Sequence, residues 1–156
     1  MSKTLYIDLD QCIWNVHYFT GEMNWAKHIV GPYTLVSPTE IHGSNGKCVL
    51  DQDFNSFCEA AKLEGWTICI LSAGALKDTA PENNPPFIFI QMFNIPCDNI
   101  ILKHVSEIEK PDHLDTDSIF IDDDSQVLAR ARARGFKTID RKKFVQWDSR
   151  IFTLVE

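Results

Sequence analysis

Short apolar runs alternate with helical patterns along most of this chain. "TLYIDLD" at 4–10 precedes an amphipathic stretch, "DFNSFCEAAKLEG" at 53–65, and then comes "WTICILSAG" at 66–74. Further on stand "PPFIFIQMFNI" at 85–95, "NIILK" at 99–103, "SIFIDDD" at 118–124, "SQVLARARARG" at 125–135 and "FKTID" at 136–140. Short apolar runs bounded by turn residues read as buried strands. Strands separated by helices predict an α/β fold, with a parallel sheet covered by helices on both faces. In 53–65, Phe54, Phe57, Cys58, Ala61 and Leu63 form the expected buried stripe, and Gly65 supplies the stop. "FIFIQMF" at 87–93 has strand-like composition. A helix is predicted there instead, because Asn83 or Asn84 can cap it and Pro85 and Pro86 suit a first helical turn.

Residues 15–50 break the alternation. An aromatic-rich stretch with Tyr18, Phe19, Trp25 and Tyr33 leads into "HGSNGKC" at 42–48, which predicts a hairpin turning at Asn45-Gly46. The segment is too short for a separate domain. The expected organisation is one domain over 1–156, with a flap or hairpin insertion at about 15–50.

Composition narrows the class. With 156 residues, 44% hydrophobic and 24% charged, the chain can bury a substantial core and is not a disordered segment. No apolar run approaches the roughly 18 residues that span a bilayer, so no membrane partner is expected. "MSKTLYIDLD" lacks the layout of a signal peptide, and the expected location is the cytoplasm. Cys12, Cys48, Cys58, Cys69 and Cys97 include no C-x-x-C pair and read as reduced core thiols. A net charge of −7 weighs against a general nucleic-acid binder. Even so, Arg130, Arg132, Arg134, Lys137, Arg141, Lys142, Lys143 and Arg150 crowd the last part of the chain. A solvated helix face followed by a polar loop is the favoured reading, and a basic rim for a polyanion is the alternative.

Candidate chemistry lies at the strand ends, where parallel sheets place their sites. In order, these are Asp8-x-Asp10, Ser72, Lys103 and Asp122-Asp123-Asp124. Taken singly they are a turn, a cap, a surface lysine and a second cap. Taken together they supply carboxylates for a hard divalent cation and a hydroxyl and an ammonium for a phosphate.

These residues carry a resemblance. "YIDLDQCIW", "CILSAG", "IILKHVS" and "SIFIDDDS", in this order and covering nearly the whole chain, resemble the four motifs of the haloacid dehalogenase superfamily of phosphatases. The likeness is greatest to its small cap-less branch, which holds magnesium-dependent phosphatases and phosphatases of the RNA polymerase carboxy-terminal domain. Cys12 departs from the pattern, standing where threonine or valine is commoner. The resemblance implies a three-layer Rossmann-like core without a large cap, and a phosphomonoester hydrolase that works through an aspartyl-phosphate. Asp8 would be the nucleophile, ionised and needing no base. Asp10 would act as general acid and then general base. Mg²⁺ would be held by Asp8, the Asp10 backbone carbonyl, Asp122 and Asp123. Ser72, the backbone N–H of Ala73 and Lys103 would hold the phosphate. Lys110, in "KPD", competes for the lysine role. It stands only twelve positions before Asp122, too few for a helix and a strand, so Lys103 is favoured.

Two rivals are weighed. A receiver domain uses acidic residues, Ser/Thr and Lys, but its acidic pair precedes the phosphorylated aspartate. A non-catalytic phosphate- or metal-binding module would more naturally have lost Asp8 or Asp10. The expected partner is a phosphorylated substrate, whether small molecule, phosphoprotein, nucleotide or nucleic-acid end, with nucleic acid not favoured. Tyr18, Phe19, Trp25 and His28 either line the entrance or pack the insertion.

Overall fold

The computed structural model describes residues 3–19, 28–115 and 117–156. Leu5, Tyr6 and Ile7 build β1 (Lys3–Ile7), which is enclosed on both faces. A tight turn leads to β2 (Trp14–Tyr18), followed by β3 (Thr34–Ser37), β4 (Glu40–His42) and β5 (Gly46–Leu50). Then come α1 (Phe54–Leu63), β6 (Trp66–Ser72), α2 (Pro85–Met92) and β7 (Asn99–Leu102). The chain continues through β8 (Ile119–Asp122), α3 (Ser125–Ala133) and β9 (Lys137–Asp140). Five of the strands form a parallel sheet in the order β7-β6-β1-β8-β9, so the first strand lies at its centre.

The period-2 alternation of strand side chains sorts the core into two layers. Leu5, Ile7, Ile68, Ile70, Ile119 and Ile121 point to the side of α1 and α2. Tyr6, Cys69, Leu71 and Phe120 point to the other, against Val127, Leu128 and Ala131 of α3. Each fully enclosed Leu, Ile or Phe contributes about 1.5–3 kcal/mol, which makes the central strands the best-anchored part of the molecule. The α/β expectation therefore holds, with helices on both faces. Among the described residues no helix is long and apolar enough to cross a membrane.

The helix expectations hold in outline. Phe54, Phe57, Cys58 and Ala61 are the buried face of α1, and Gly65 ends it at φ +93. Leu63 is 91% exposed, because the stripe turns away from the sheet within the last turn. Residues 85–92 are helical despite their strand-like composition. Pro85 and Pro86 occupy the first turn, and Asn84 precedes them. The Asn84 side chain does not cap that helix but accepts from Leu76 N at 2.6 Å and donates to Thr79 O at 3.2 Å.

The insertion is more than a hairpin. It is a four-stranded antiparallel sheet in the order β2-β5-β4-β3. Trp14, Ile41, Cys48 and Leu50 root it in the same core layer as α1 and α2. Trp14 meets Phe89 of α2 with ring centroids 5.9 Å apart. The expected Asn45-Gly46 turn is corrected. Gly46 already belongs to β5 and pairs with Tyr18, while Gly43 N donates to Gly46 O at 2.9 Å. Glycine suits position 46 because β2 passes close by: a Cβ there would lie 2.5 Å from His17 O. Asn45 instead spends its side chain on the chain ahead of β3, accepting from Val30 N at 2.7 Å. Trp25 lies outside the described residues.

Beyond β9, Arg141 knits the end of the chain to its beginning. Its guanidinium donates to Cys12 O at 2.6 Å, Phe144 O at 2.6 Å and Asp51 Oδ2 at 3.1 Å. The same Asp51 oxygen accepts from Trp147 Nε1 at 2.8 Å. All five cysteines are free, and all but Cys97 are buried. Burial pushes the Cys12 and Cys48 thiols well up, which makes them inert packing groups.

Candidate active site

The carboxyl ends of the central strands converge. Asp8 follows β1 directly, and its N–H donates to Ile121 O at 3.0 Å, extending the ladder with β8. That register sets Asp8 beside Asp122, the last residue of β8. Asp8 is buried and Asp122 wholly enclosed. Lys110 reaches between them, with its Nζ 3.0 Å from Asp8 Oδ1 and 2.8 Å from Asp122 Oδ2. The other Asp122 oxygen accepts from Asp124 N at 3.0 Å.

Asp8, Asp122 and Asp123 each present an oxygen within 4.8 Å of the other two. The third aspartate of the triplet does different work. Asp124 caps α3, accepting from Gln126 N at 2.9 Å and Val127 N at 3.3 Å. Three clustered carboxylates face one ammonium, so negative charge is in surplus. Burial, then the neighbouring Asp122, pushes the Asp8 carboxyl well above the usual carboxylate range, and Lys110 opposes this only in part. Burial raises Asp123 as well, while its hydrogen bond with Asp8 pulls the other way. Burial works to lower the Lys110 ammonium, but Asp8 and Asp122 more than offset it and the group is held firmly charged. In the chain alone Asp8 is thus harder to ionise than an ordinary carboxylate. A hard divalent cation suits this set, since it takes oxygen ligands and relieves the repulsion among the carboxylates.

Asp10 stands apart from that trio, half-buried on the turn after β1. The turn is tight: Cys12 N and Ile13 N both donate to Leu9 O at 3.0 Å, and Gln11 has φ 59. Its carboxylate faces the end of β6. A Cβ added to Gly74 would sit 3.1 Å from Asp10 Oδ2 and 3.3 Å from Ser72 Oγ, so the glycine leaves a notch between them. Ser72 is buried, and its oxygen accepts from Gly74 N at 3.1 Å, leaving the hydroxyl proton to donate elsewhere. Ala73 lies half-buried in the bend between them.

The lysine assignment is corrected. Lys103 follows β7, the edge strand of the sheet, and its side chain is exposed. What Lys103 contributes is backbone, donating to Ser72 O and accepting from Ala75 N, both at 3.1 Å. Lys110 reaches the carboxylates from a 3-10 turn, Lys110–His113, and among the described residues between that turn and β8 there is no α-helix. Buried Pro111 anchors that turn, and the "KPD" tripeptide was the available signal.

Around the rim, Tyr18 and His28 are half-buried. Burial raises the Tyr18 phenol and lowers the His28 imidazole, and each also feels the Asp10 charge. Phe19 is exposed and edge-on to His42 at 5.9 Å. Sequence reasoning took Trp14 only as part of "YIDLDQCIW" and Arg141 only as one of the basic residues, and missed that the Trp14 indole reaches Asp10 and that Arg141 braces the turn between them. Compared with protein-family models and with curated proteins, the chain matches none.

Proposed function

We propose that this protein is a Mg²⁺-dependent phosphomonoester hydrolase of the haloacid dehalogenase type, working through an aspartyl-phosphate on Asp8. The observation that supports this most is the meeting of Asp8, Asp122 and Lys110, contributed by two adjacent central strands and a distant turn. Two buried carboxylates, a third half-buried one and a lysine stand at the carboxyl edge of a parallel sheet, where open α/β folds place their ligands.

Asp8 is the nucleophile. Its carboxylate oxygen attacks phosphorus, and the bond to the leaving-group oxygen breaks. Asp10 gives that oxygen a proton, then accepts one from the water that attacks the aspartyl-phosphate, which returns Asp8 and releases inorganic phosphate. Ser72 donates its hydroxyl proton to a phosphoryl oxygen, and the notch at Gly74 gives that oxygen room. Lys110 orders Asp8 and neutralises charge as the phosphoryl group arrives. Asp8, Asp122 and Asp123 would hold the cation, with the backbone carbonyl of Asp10 as a fourth oxygen. When bound, Mg²⁺ lets an anionic phosphate approach an anionic nucleophile and keeps Asp8 ionised.

Hydrolysis of p-nitrophenyl phosphate with Mg²⁺ and with chelator tests this reading. Turnover that needs Mg²⁺ and drops by at least about 10³-fold in Asp8→Asn, with the fold retained, is expected. Metal binding without turnover would instead make the domain a non-catalytic cation site.

A further inference from the structure

The two oxygens of Asp10 have different surroundings. Oδ1 accepts from Trp14 Nε1 at 2.8 Å. Oδ2 faces the notch at Gly74, across from Ser72 Oγ. Trp14 is 1% exposed and wedged between Phe89 and Phe93, at 5.9 and 6.1 Å between centroids, so the indole cannot follow the carboxylate if it turns. The intervening turn closes on itself as well. Asp10 bridges to Trp14, and Gln11 N donates to Trp14 O at 2.8 Å. An indole N–H is a donor in every state, unlike a hydroxyl or an imidazole. An oxygen that accepts from it is poorly disposed to hold a proton of its own.

We propose that Trp14 is a positioning residue that divides the labour of the Asp10 carboxyl group. Oδ1 is kept as an acceptor toward the core, and Oδ2 is the oxygen that exchanges the proton with the leaving group and with water. This rests on the phosphatase reading above. In the first step Asp8 forms its bond to phosphorus, and the P–O bond to the leaving group breaks. The electron pair of that bond stays on the leaving oxygen, which takes the proton from Oδ2. In the second step water forms the new P–O bond, its proton passes to Oδ2, and the Asp8–phosphorus bond breaks. Without the indole donor the carboxyl group can rotate, and either oxygen can turn away from the notch.

Trp14→Phe removes the N–H and keeps an aromatic ring at the site, and the small void it leaves acts alike on every leaving group. The measured quantity is kcat/KM for aryl phosphates of graded leaving-group basicity, which reports events up to transfer onto Asp8. Phenyl phosphate should lose about 10–100-fold, a part of what a general acid contributes, and dinitrophenyl phosphate should lose less than about threefold. An equal loss at every leaving group, or none, overturns the proposal and leaves the phosphatase reading intact. Wild-type protein that hydrolyses none of these esters overturns both. A second measurement needs no turnover and no change at Trp14. In ¹H–¹⁵N spectra Asp10→Ala should move the Trp14 indole resonance, assigned with Trp14→Phe, and leave the other indoles in place. An unmoved Trp14 resonance overturns the proposal whatever the kinetics show.

Discussion

Asp8 and Asp122 are buried carboxylates held to each other through the Lys110 ammonium. Taking away the ammonium leaves two enclosed carboxyl groups without their shared partner. Removing one member of such a buried set costs about 3–5 kcal/mol. Lys110→Met is therefore expected to lower the unfolding free energy of chelated protein, measured by denaturant titration, by an amount in that range, and to cripple turnover. Lys103→Met, at an exposed side chain, should stay within about 0.5 kcal/mol of wild type and keep its activity. Equal losses in the two variants would contradict the placement of Lys110. Asp8, Asp10, Ser72 and the acidic triplet were legible in the sequence because each terminates an apolar run, and strand ends are where parallel sheets do chemistry. Lys110 was legible only as the second choice, from its "KPD" tripeptide, since the 3-10 turn that carries it has no periodicity to rank it above Lys103. The indole contact of Trp14 was not legible, because it depends on the path of a turn rather than on residue type.

At the scale of elements, α3 shows what the crowd of basic residues does. Arg130 Nε lies 2.9 Å from Glu109 Oε1, and Arg134 Nη1 lies 2.7 Å from Asp112 Oδ1, so the two arginines flank the turn that carries Lys110. Arg132 approaches Glu156 at 3.6 Å, and Arg141 is committed to Asp51. Guanidinium groups turned onto their own chain have little charge left to attract a polyanion. Neutralising Arg130 and Arg134 should leave the KM of an acidic phosphopeptide or an oligonucleotide unchanged between low and high salt. A KM that climbs steeply with salt in wild type, and flattens in the variant, would restore the guiding role. The elements themselves were readable wherever hydrophobic periodicity was strong. The proline-led helix α2 was found from its boundary residues against its composition. The second sheet was not found, because β3 exposes most of its residues and carries no buried run. The Asn-Gly dipeptide also misled there: a strand needing a close neighbour uses glycine as readily as a tight turn does.

Across the whole molecule, site and stability are in opposition. Burial and Asp122 raise the Asp8 carboxyl above its ordinary value of 3.8, so the fold favours its neutral form. The stability this group contributes is complete below about 3.8 and is lost as pH rises through the raised value. In chelator, the stability difference between wild type and Asp8→Asn should shift against wild type as pH climbs above that point. Saturating Mg²⁺ should reverse the shift, by about 2.7 kcal/mol at a hundred times its dissociation constant. Melting curves across pH, with and without the ion, check both signs, and curves indifferent to the ion would count against the cation site.

The central place of β1 has a further consequence, in time rather than in space. Its neighbours are β6 and β8, and Cys12 just beyond it contacts Ile121 across 109 residues of sequence. At ribosomal speeds of roughly 5–20 residues per second, the first strand waits on the order of ten seconds for its second partner. During that interval its Leu5, Tyr6 and Ile7 are sticky and one edge is unpaired, which makes the nascent chain a natural client for a chaperone. The same delay is protective. Until β8 emerges there is no Asp122 beside Asp8, and the cluster of carboxylates that would crowd Asp8 is not yet assembled.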